Sequence, residues 1–141
     1  MTYLDSSCLL KIFWEEPESG AVRHAVSGEQ QVIISSLAEL ETEVQFRARW
    51  LSGAINKRRY DAYRRKLALF RGTSPFEFHE LTSTIFRRAI EQHISAKLHC
   101  RSLDRLHLAA MDELGSRRLM TNDNKQAAAA RSLGYEVLTP R

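Results

Sequence analysis

The chain has 141 residues, of which 43% are hydrophobic and 27% charged, with a net charge of +4. This balance and length predict one globular domain over residues 1–141. No apolar run approaches the roughly 18 residues that cross a bilayer, so we expect no membrane association. The sequence pI of about 9.3 favours a polyanionic partner such as nucleic acid.

The first residues and the cysteines of the chain indicate a cytoplasmic location. The first residues lack the basic region and apolar core of a signal peptide. Cys8 and Cys100 lie far apart and match no disulfide or metal-ligand spacing, which agrees with a reducing compartment.

Short apolar segments alternate with amphipathic segments along the whole chain. This pattern predicts five strands, at residues 3–4, 31–35, 76–79, 118–120 and 135–138. It predicts helices between them, at residues 6–14, 17–27, 36–51, 56–70, 82–97, 102–114 and 125–133. Strands separated by helices pair in parallel with right-handed crossovers, so we expect an α/β/α sandwich around a five-stranded parallel sheet.

Two acidic residues follow predicted strands, at the edge where such folds place their sites. Asp5 ends the first strand, and Asp123 lies just past the fourth. In open parallel sheets the functional crevice lies beyond the carboxyl ends of the strands. Aspartate is also a common helix N-cap, and that interpretation stays open for each residue taken alone.

A third acid interrupts the apolar side of the helix predicted at residues 36–51. Successive residues turn by about 100° in an α-helix, which places Glu41 in one stripe with Leu37, Val44, Ala48 and Leu51. An ionised carboxylate in an apolar face is costly unless it is paired. The neighbouring acids have simpler interpretations, because Glu39 completes a capping box with Ser36 and Glu43 faces solvent.

The fourth acid, Asp104, lies in the first turn of the helix predicted at residues 102–114. It borders an apolar stripe that contains His107, which we interpret as a buried core histidine. A carboxylate in a first turn is favoured by the helix dipole, so Asp104 alone has a structural explanation.

Taken together, the four acids favour a metal site. Carboxylates gathered at one place raise one another's pKa unless a cation neutralises them. Hard oxygen ligands suit Mg²⁺, with Mn²⁺ as the alternative, and the absence of histidine and cysteine companions argues against zinc. Such a site activates water and stabilises the charge that develops in phosphodiester cleavage. The residues thus predict a metal-dependent nuclease.

Four segments of the chain, in this order, resemble the PIN-domain ribonucleases, and among them the VapC-type toxins of toxin–antitoxin pairs. The segments are YLDSSCLLKIFWEEPES, SSLAELE, SLDRLHLAA and TNDNKQAAAARSLGYEVL. The resemblance implies the sheet order 3-2-1-4-5 and a Mg²⁺-dependent endoribonuclease, with Asp5 and Asp104 as the most direct metal ligands. It implies that Glu41 binds metal or orients water and that Asp123 completes the cluster.

The same resemblance implies supporting hydroxyls and partners. Ser6 follows the first acid and Thr121 lies shortly before the last, where such proteins carry hydroxyl residues that support the site. The family implies an RNA substrate, a cognate antitoxin whose tail lies across the active site, and a homodimer.

Several alternatives stay open. Glu43 could take the place of Glu41, although the apolar stripe favours Glu41. The acids could instead cap helices or pair with arginines, in a catalytically silent PIN-like module that binds nucleic acid or protein. A phosphotransfer receiver would need a lysine after the last strand, and residues 135–141 contain none.

Two surfaces have two interpretations each. The basic helix at residues 56–70 either contacts RNA or presents a solvated face, with Tyr60 and Tyr63 packed inward. Phe46 and Trp50 lie opposite the predicted core stripe, so we expect them to contact a partner protein.

Overall fold

The computed structural model describes residues 1–141. Its strands are β1 Thr2–Leu4, β2 Val32–Ser35, β3 Phe76–His79, β4 Arg118–Met120 and β5 Glu136–Leu138. Its helices are α1 Ser6–Phe13, α2 Ser19–Ser27, α3 Ser36–Leu51, α4 Lys57–Leu69, α5 Ile85–Ser95, α6 Ser102–Leu114 and α7 Asn124–Ser132. None of these helices has the length and apolar character that spanning a membrane requires.

All neighbouring strands pair in parallel, in the order β3-β2-β1-β4-β5. This order confirms the prediction. In the central strand, Tyr3 pairs with Ile33 of β2 on one side and with Leu119 of β4 on the other. The chain winds outward from β1 to β3 and then returns to β4, so the direction of winding changes between β1 and β4. The segments that follow these two strands therefore meet at a topological switch point.

Alternating side chains of the strands divide the interior into two cores. Leu4 and Ile34 pack into a cluster with α1, α2, α3 and α4. Tyr3 and Ile33 point to the other face and pack into a cluster with α5, α6 and α7. Helices thus cover both faces of the sheet, which explains why β1 and β2 are buried along their whole length.

The buried face of α3 differs from the predicted stripe. Its core residues are Ala38, Thr42 and Phe46, whereas Val44 and Leu51 are 54% and 69% exposed. The prediction followed the aliphatic residues, but the sheet-facing side of α3 is set by the large ring of Phe46, which removes more apolar area from water.

The expected partner contact is wrong for Phe46, for the same reason, and it stays a prediction for Trp50. Phe46 is fully buried, and its ring packs edge-on against Phe13 with the centroids 4.9 Å apart. Trp50 is half-buried and stacks on Tyr60, also at 4.9 Å. The tyrosines of α4 therefore pack inward, and the cations of α4 face solvent.

The start of α3 is shifted by one residue from the predicted capping box. The N-cap is Ser35, whose Oγ accepts a hydrogen bond from the N–H of Ala38 at 3.1 Å. Ser36 is the first helical residue, and its Oγ accepts the N–H of Leu81. Glu39 forms an ion pair with Arg71 instead of closing the box. The cap lies one residue earlier than predicted because Ser35 is both the last residue of β2 and the N-cap of α3.

Candidate active site

Asp5 stands between β1 and α1, but its carboxylate does not cap the helix. The residue has extended backbone angles and no side-chain capping hydrogen bond. Its Oδ2 instead accepts the hydroxyls of Thr121 at 2.6 Å and Ser7 at 3.1 Å. The other carboxylate oxygen, Oδ1, lies 3.9 Å from Nε2 of His107. Asp5 is thus held by one oxygen, which leaves the second for another ligand.

The surroundings of Asp5 make its negative charge costly. Burial is the largest influence and raises the pKa of the Asp5 carboxyl, and the nearby Glu41 raises this pKa further. His107 and the two hydroxyl donors act in the opposite direction, but the net shift is upward. A cation bound beside Asp5 would stabilise the ionised form of its carboxyl.

The Glu41 carboxylate approaches Asp5 from the second turn of α3. Its Oε1 forms a short hydrogen bond with Nε2 of His107, and 26% of its side chain is exposed. One ligand atom each from Asp5, Glu41 and His107 lies within 4.8 Å of the others, so these residues could hold a metal ion. Burial lowers the pKa of His107, but the Glu41 hydrogen bond and the charge of Asp5 outweigh it, and the net shift is upward.

Asp104 and Asp123 are joined by Arg101, an exposed residue that lines the same cleft. Nε of Arg101 donates to Oδ2 of Asp104 at 3.1 Å, and a terminal nitrogen of its guanidinium lies 3.9 Å from Oδ2 of Asp123. Asp123 also caps α7, because its Oδ1 accepts the N–H groups of Lys125 and Gln126. The N-cap interpretation is therefore right for the Asp123 carboxylate and wrong for that of Asp5.

All four predicted acids line one cleft of about 410 Å³. An apolar rim surrounds them, formed by Leu10, Leu37, Leu40, Val44 and Leu103. Within the cleft the structure groups Asp5 with Glu41 and His107, rather than with Asp104. Glu43, the alternative to Glu41, is paired with Arg64 at 2.7 Å outside this cleft.

The two predicted supporting hydroxyls have different positions. Thr121 donates to Asp5 and accepts the backbone N–H of Asp123, so it connects two of the acids. Ser6 lines the cleft, but its hydroxyl makes no hydrogen bond, and the neighbouring Ser7 donates to Asp5 instead. The first turn of α1 directs Ser7, rather than Ser6, toward β4, where its Oγ also accepts the N–H of Asn122.

Sequence reasoning missed His107, Arg101 and Ser7 as members of the site. The expectation that the acids have no histidine companion is wrong, because His107 contacts Glu41 directly. One signal was present in the sequence. His107 follows Asp104 by three residues, and residues three apart lie on the same side of a helix.

A parallel sheet with carboxylates at the switch point between β1 and β4 defines an α/β protein with an acidic cleft at the carboxyl ends of its strands. Residues 2–132 match the sequence model of the PIN domain, and the chain belongs to this family.

Individual relatives extend the likeness to the whole chain. The chain is 31% identical over 147 residues to Ribonuclease VapC46 of Mycobacterium tuberculosis, across 98% of this chain and 96% of that protein. Among solved structures it resembles VapC20 of the same organism, a sarcin-ricin loop cleaving toxin, with a TM-score of 0.73, 17% identity and coverage of 100% and 99%. It also resembles VapBC2 from Rickettsia felis bound to a promoter DNA fragment, with a TM-score of 0.70, 16% identity and 98% coverage of both chains. These structural matches support the fold.

Proposed function

We propose that this protein is an endoribonuclease toxin that cleaves RNA phosphodiester bonds with Mg²⁺ and is neutralised by a cognate antitoxin. The observation that carries the proposal is the convergence of four acids in one cleft of a PIN-domain chain. The relative that is 31% identical is named a ribonuclease, and the alignment covers nearly all of both chains.

The residues of the cleft fit a divalent cation. Asp5 and Glu41 present carboxylate oxygens within one small cluster, and burial of Asp5 disfavours its charge until a cation is bound. Mg²⁺ takes one or two carboxylates and keeps several waters, and Mn²⁺ accepts the same oxygen donors. We assign Asp5 and Glu41 as the direct ligands, and Asp104 and Asp123 as the acids that complete the negative charge of the cleft.

A divalent ion in this cleft supplies an acidified water and neutralises charge on the phosphodiester. The chain itself provides orientation. The hydroxyls of Thr121 and Ser7 fix Oδ2 of Asp5, which leaves Oδ1 on the side of Glu41 and His107. Arg101 is the cationic residue that lines the cleft, and its exposed guanidinium can pair with a phosphate oxygen of the substrate.

The partners follow from the same proposal. The apolar rim includes Leu40, Val44 and Leu103, which are all exposed, and exposed apolar patches mark protein contacts. We propose that the antitoxin covers this rim and thereby blocks the acids. The homodimer stays a prediction, which light scattering of the antitoxin-free protein tests.

The decisive assay is RNA cleavage by purified, antitoxin-free protein with Mg²⁺ or Mn²⁺, with chelator, and with Asp104→Asn. We expect metal-dependent cleavage that chelator removes and that Asp104→Asn lowers by roughly 100-fold or more. Asp112→Asn is the matched control, because Asp112 lies on the same helix, outside the cleft and paired with Arg88. Cleavage that survives chelation, or an Asp104→Asn variant as fast as wild type, would contradict the proposal.

The competing interpretation is a PIN-like module whose acids do no chemistry. A ligand that binds only the folded state raises the melting temperature, so metal titration separates the two cases. Intact pooled cellular RNA together with an unchanged melting temperature in Mg²⁺ or Mn²⁺ would favour the silent module.

A further inference from the structure

A chain of buried hydrogen bonds leads from the start of α3 to the Glu41 carboxylate. The phenol oxygen of Tyr3 lies 2.7 Å from Oγ of Ser35 and 2.7 Å from Nδ1 of His107. The opposite ring nitrogen of His107 bonds to Oε1 of Glu41. Tyr3, Ser35 and His107 are almost completely buried, so water does not compete for these bonds.

The hydrogens of this chain can be assigned one by one from the network. The Glu41 carboxylate only accepts, so the ring hydrogen of neutral His107 lies on Nε2 and donates to it. Nδ1 of the neutral ring is then an acceptor, and Tyr3 donates to it. The Tyr3 oxygen in turn accepts the hydroxyl of Ser35, whose own oxygen accepts the N–H of Ala38. Every hydroxyl in this arrangement both donates and accepts.

The role of Nε2 does not depend on the charge of the ring. An imidazolium also carries a hydrogen on Nε2 and also donates to Glu41. The remaining tautomer would direct the Nε2 lone pair at a carboxylate oxygen, which is repulsive. Nε2 of His107 is therefore a hydrogen-bond donor in each acceptable state, and a nitrogen that carries a hydrogen cannot bind a metal ion.

The chain of bonds also joins the elements that carry the acids. Ser35 caps α3, the helix on which Glu41 lies, so the network leaves α3 and returns to it. Tyr3 lies on β1, two residues before Asp5. His107 lies on α6, three residues after Asp104. Residues that hydrogen-bond to a metal ligand orient that ligand and fix its geometry.

We propose that Ser35, Tyr3 and His107 form a positioning relay. The relay holds the Glu41 carboxylate beside Asp5 as an oxygen ligand, and it keeps the imidazole ring out of the coordination of the metal ion. This inference rests on the proposed metal-dependent activity. It assigns His107 and Tyr3 a role that acts through Glu41, without contact with the substrate.

Tyr3→Phe tests the relay by removing one hydroxyl. We expect Mn²⁺ affinity, measured from the electron paramagnetic resonance signal of free Mn²⁺, to fall by about 10- to 100-fold, with a matching fall in cleavage at low metal concentration. Tyr60→Phe is the matched control, since Tyr60 is also buried but its phenol makes no hydrogen bond, and we expect no change in Mn²⁺ affinity. Wild-type Mn²⁺ affinity in folded Tyr3→Phe protein would overturn the relay.

A pair of variants at His107 separates hydrogen-bond donation from packing. The amide of His107→Gln can place an N–H near the position of Nε2, whereas His107→Leu fills similar space without a donor. We expect Mn²⁺ affinity to decrease in the order wild type, Gln, Leu. An equal loss in both variants would overturn the relay, because packing alone would then explain the effect.

Spectroscopy of bound Mn²⁺ tests whether the ring is a ligand. We expect electron spin-echo spectra of the wild-type protein to lack the modulation of a directly coordinated imidazole nitrogen. That modulation, if present, would overturn the relay while leaving metal-dependent cleavage intact. A wild-type protein that neither binds Mn²⁺ nor needs metal for cleavage would overturn the proposed function together with the relay.

Discussion

The two halves of the acidic cleft hold their carboxylates by different means. Asp5 and Glu41 are anchored from the protein interior, by Thr121, Ser7 and His107. Asp104 and Asp123 are joined from the solvent side by Arg101, whose side chain is 75% exposed.

This difference has an energetic consequence. A buried carboxylate beside a second acid is costly until a cation neutralises it, and burial accordingly raises the pKa of Asp5. The Arg101–Asp104 ion pair contributes little to stability, because the Arg101 side chain is exposed and water and salt screen its charge. The half anchored from the interior should therefore determine whether metal binds, and the half joined by Arg101 should tune substrate binding and turnover.

Asp5→Asn should have the largest effect. The amide keeps the shape of the side chain but removes the charge, so we expect metal-dependent cleavage to fall by roughly 1,000-fold. We also expect the metal-free variant to melt at a higher temperature than wild type, since it no longer buries an unneutralised carboxylate. Calorimetry in chelator measures this change, and a destabilised variant with unchanged metal affinity would show that Asp5 is a structural acid.

Glu41→Gln should reduce cleavage by about 100-fold, because it removes a direct ligand and weakens the hydrogen bond to His107. Glu43→Gln is the matched control, two residues along the same helix and paired with Arg64. We expect it to retain wild-type cleavage, and loss of an exposed pair should change the free energy of unfolding by about 1 kcal/mol or less. Loss of cleavage in Glu43→Gln together with wild-type cleavage in Glu41→Gln would assign the site to Glu43.

Thr121→Val should weaken Mn²⁺ binding by about 10-fold. It removes the 2.6 Å hydrogen bond that orients Asp5, while the volume of the side chain is kept. Thr42→Val is the matched control, because Thr42 is equally buried but its hydroxyl has no hydrogen-bond partner. We expect that variant to bind metal normally and to be at least as stable as wild type. Equal metal affinity in the two variants would show that Thr121 does not position Asp5.

The pH dependence of stability should be the smallest of these effects. Folding raises the pKa of the Asp5 carboxyl. Between the unfolded pKa of about 3.9 and the higher folded pKa, the folded state therefore binds more protons than the unfolded state. The free energy of unfolding falls as pH rises through this range. The raised pKa of His107 changes stability in the same direction. Its contribution to the free energy of unfolding is fully present below about pH 6.5 and is lost as pH rises through the pKa of the folded state.

The metal-free protein should therefore melt at a lower temperature as pH increases from about 5 to about 8. The gain in melting temperature on adding Mg²⁺ should grow over the same range, because metal binds the deprotonated carboxylate. Scanning calorimetry at several pH values, with and without chelator, measures both trends. A metal-free melting temperature that rises with pH would contradict the assigned burial of these charges.

The sequence was sufficient for the sheet and for the position of Asp5 and Asp123. Strand ends are readable from short apolar runs, and parallel topology brings those ends together. Glu41 was identified by an argument that the structure corrects, because α3 is rotated so that Phe46 faces the core. Its position in the second turn after β2, rather than an apolar stripe, brings Glu41 to the cleft.

The residues that sequence reasoning missed depend on rotations that periodicity does not specify. Ser6 and Ser7 are adjacent and chemically identical, and the orientation of the first turn of α1 decides which hydroxyl reaches Asp5. His107 belongs both to the core and to the site, so an apolar stripe explains it without reference to Glu41. Tertiary packing was needed to find these contacts.

The most direct test of the account is the melting temperature in a Mn²⁺ titration of wild type, Asp5→Asn and Asp123→Asn. A ligand at 100 times its dissociation constant stabilises the folded state by about 2.7 kcal/mol, which gives a measurable shift. Asn can replace Asp as the cap of α7, so Asp123→Asn should stay folded and keep most of the shift. The account predicts that Asp5→Asn abolishes the shift. A full shift in Asp5→Asn, or none in wild type, would contradict a metal site at Asp5 and Glu41.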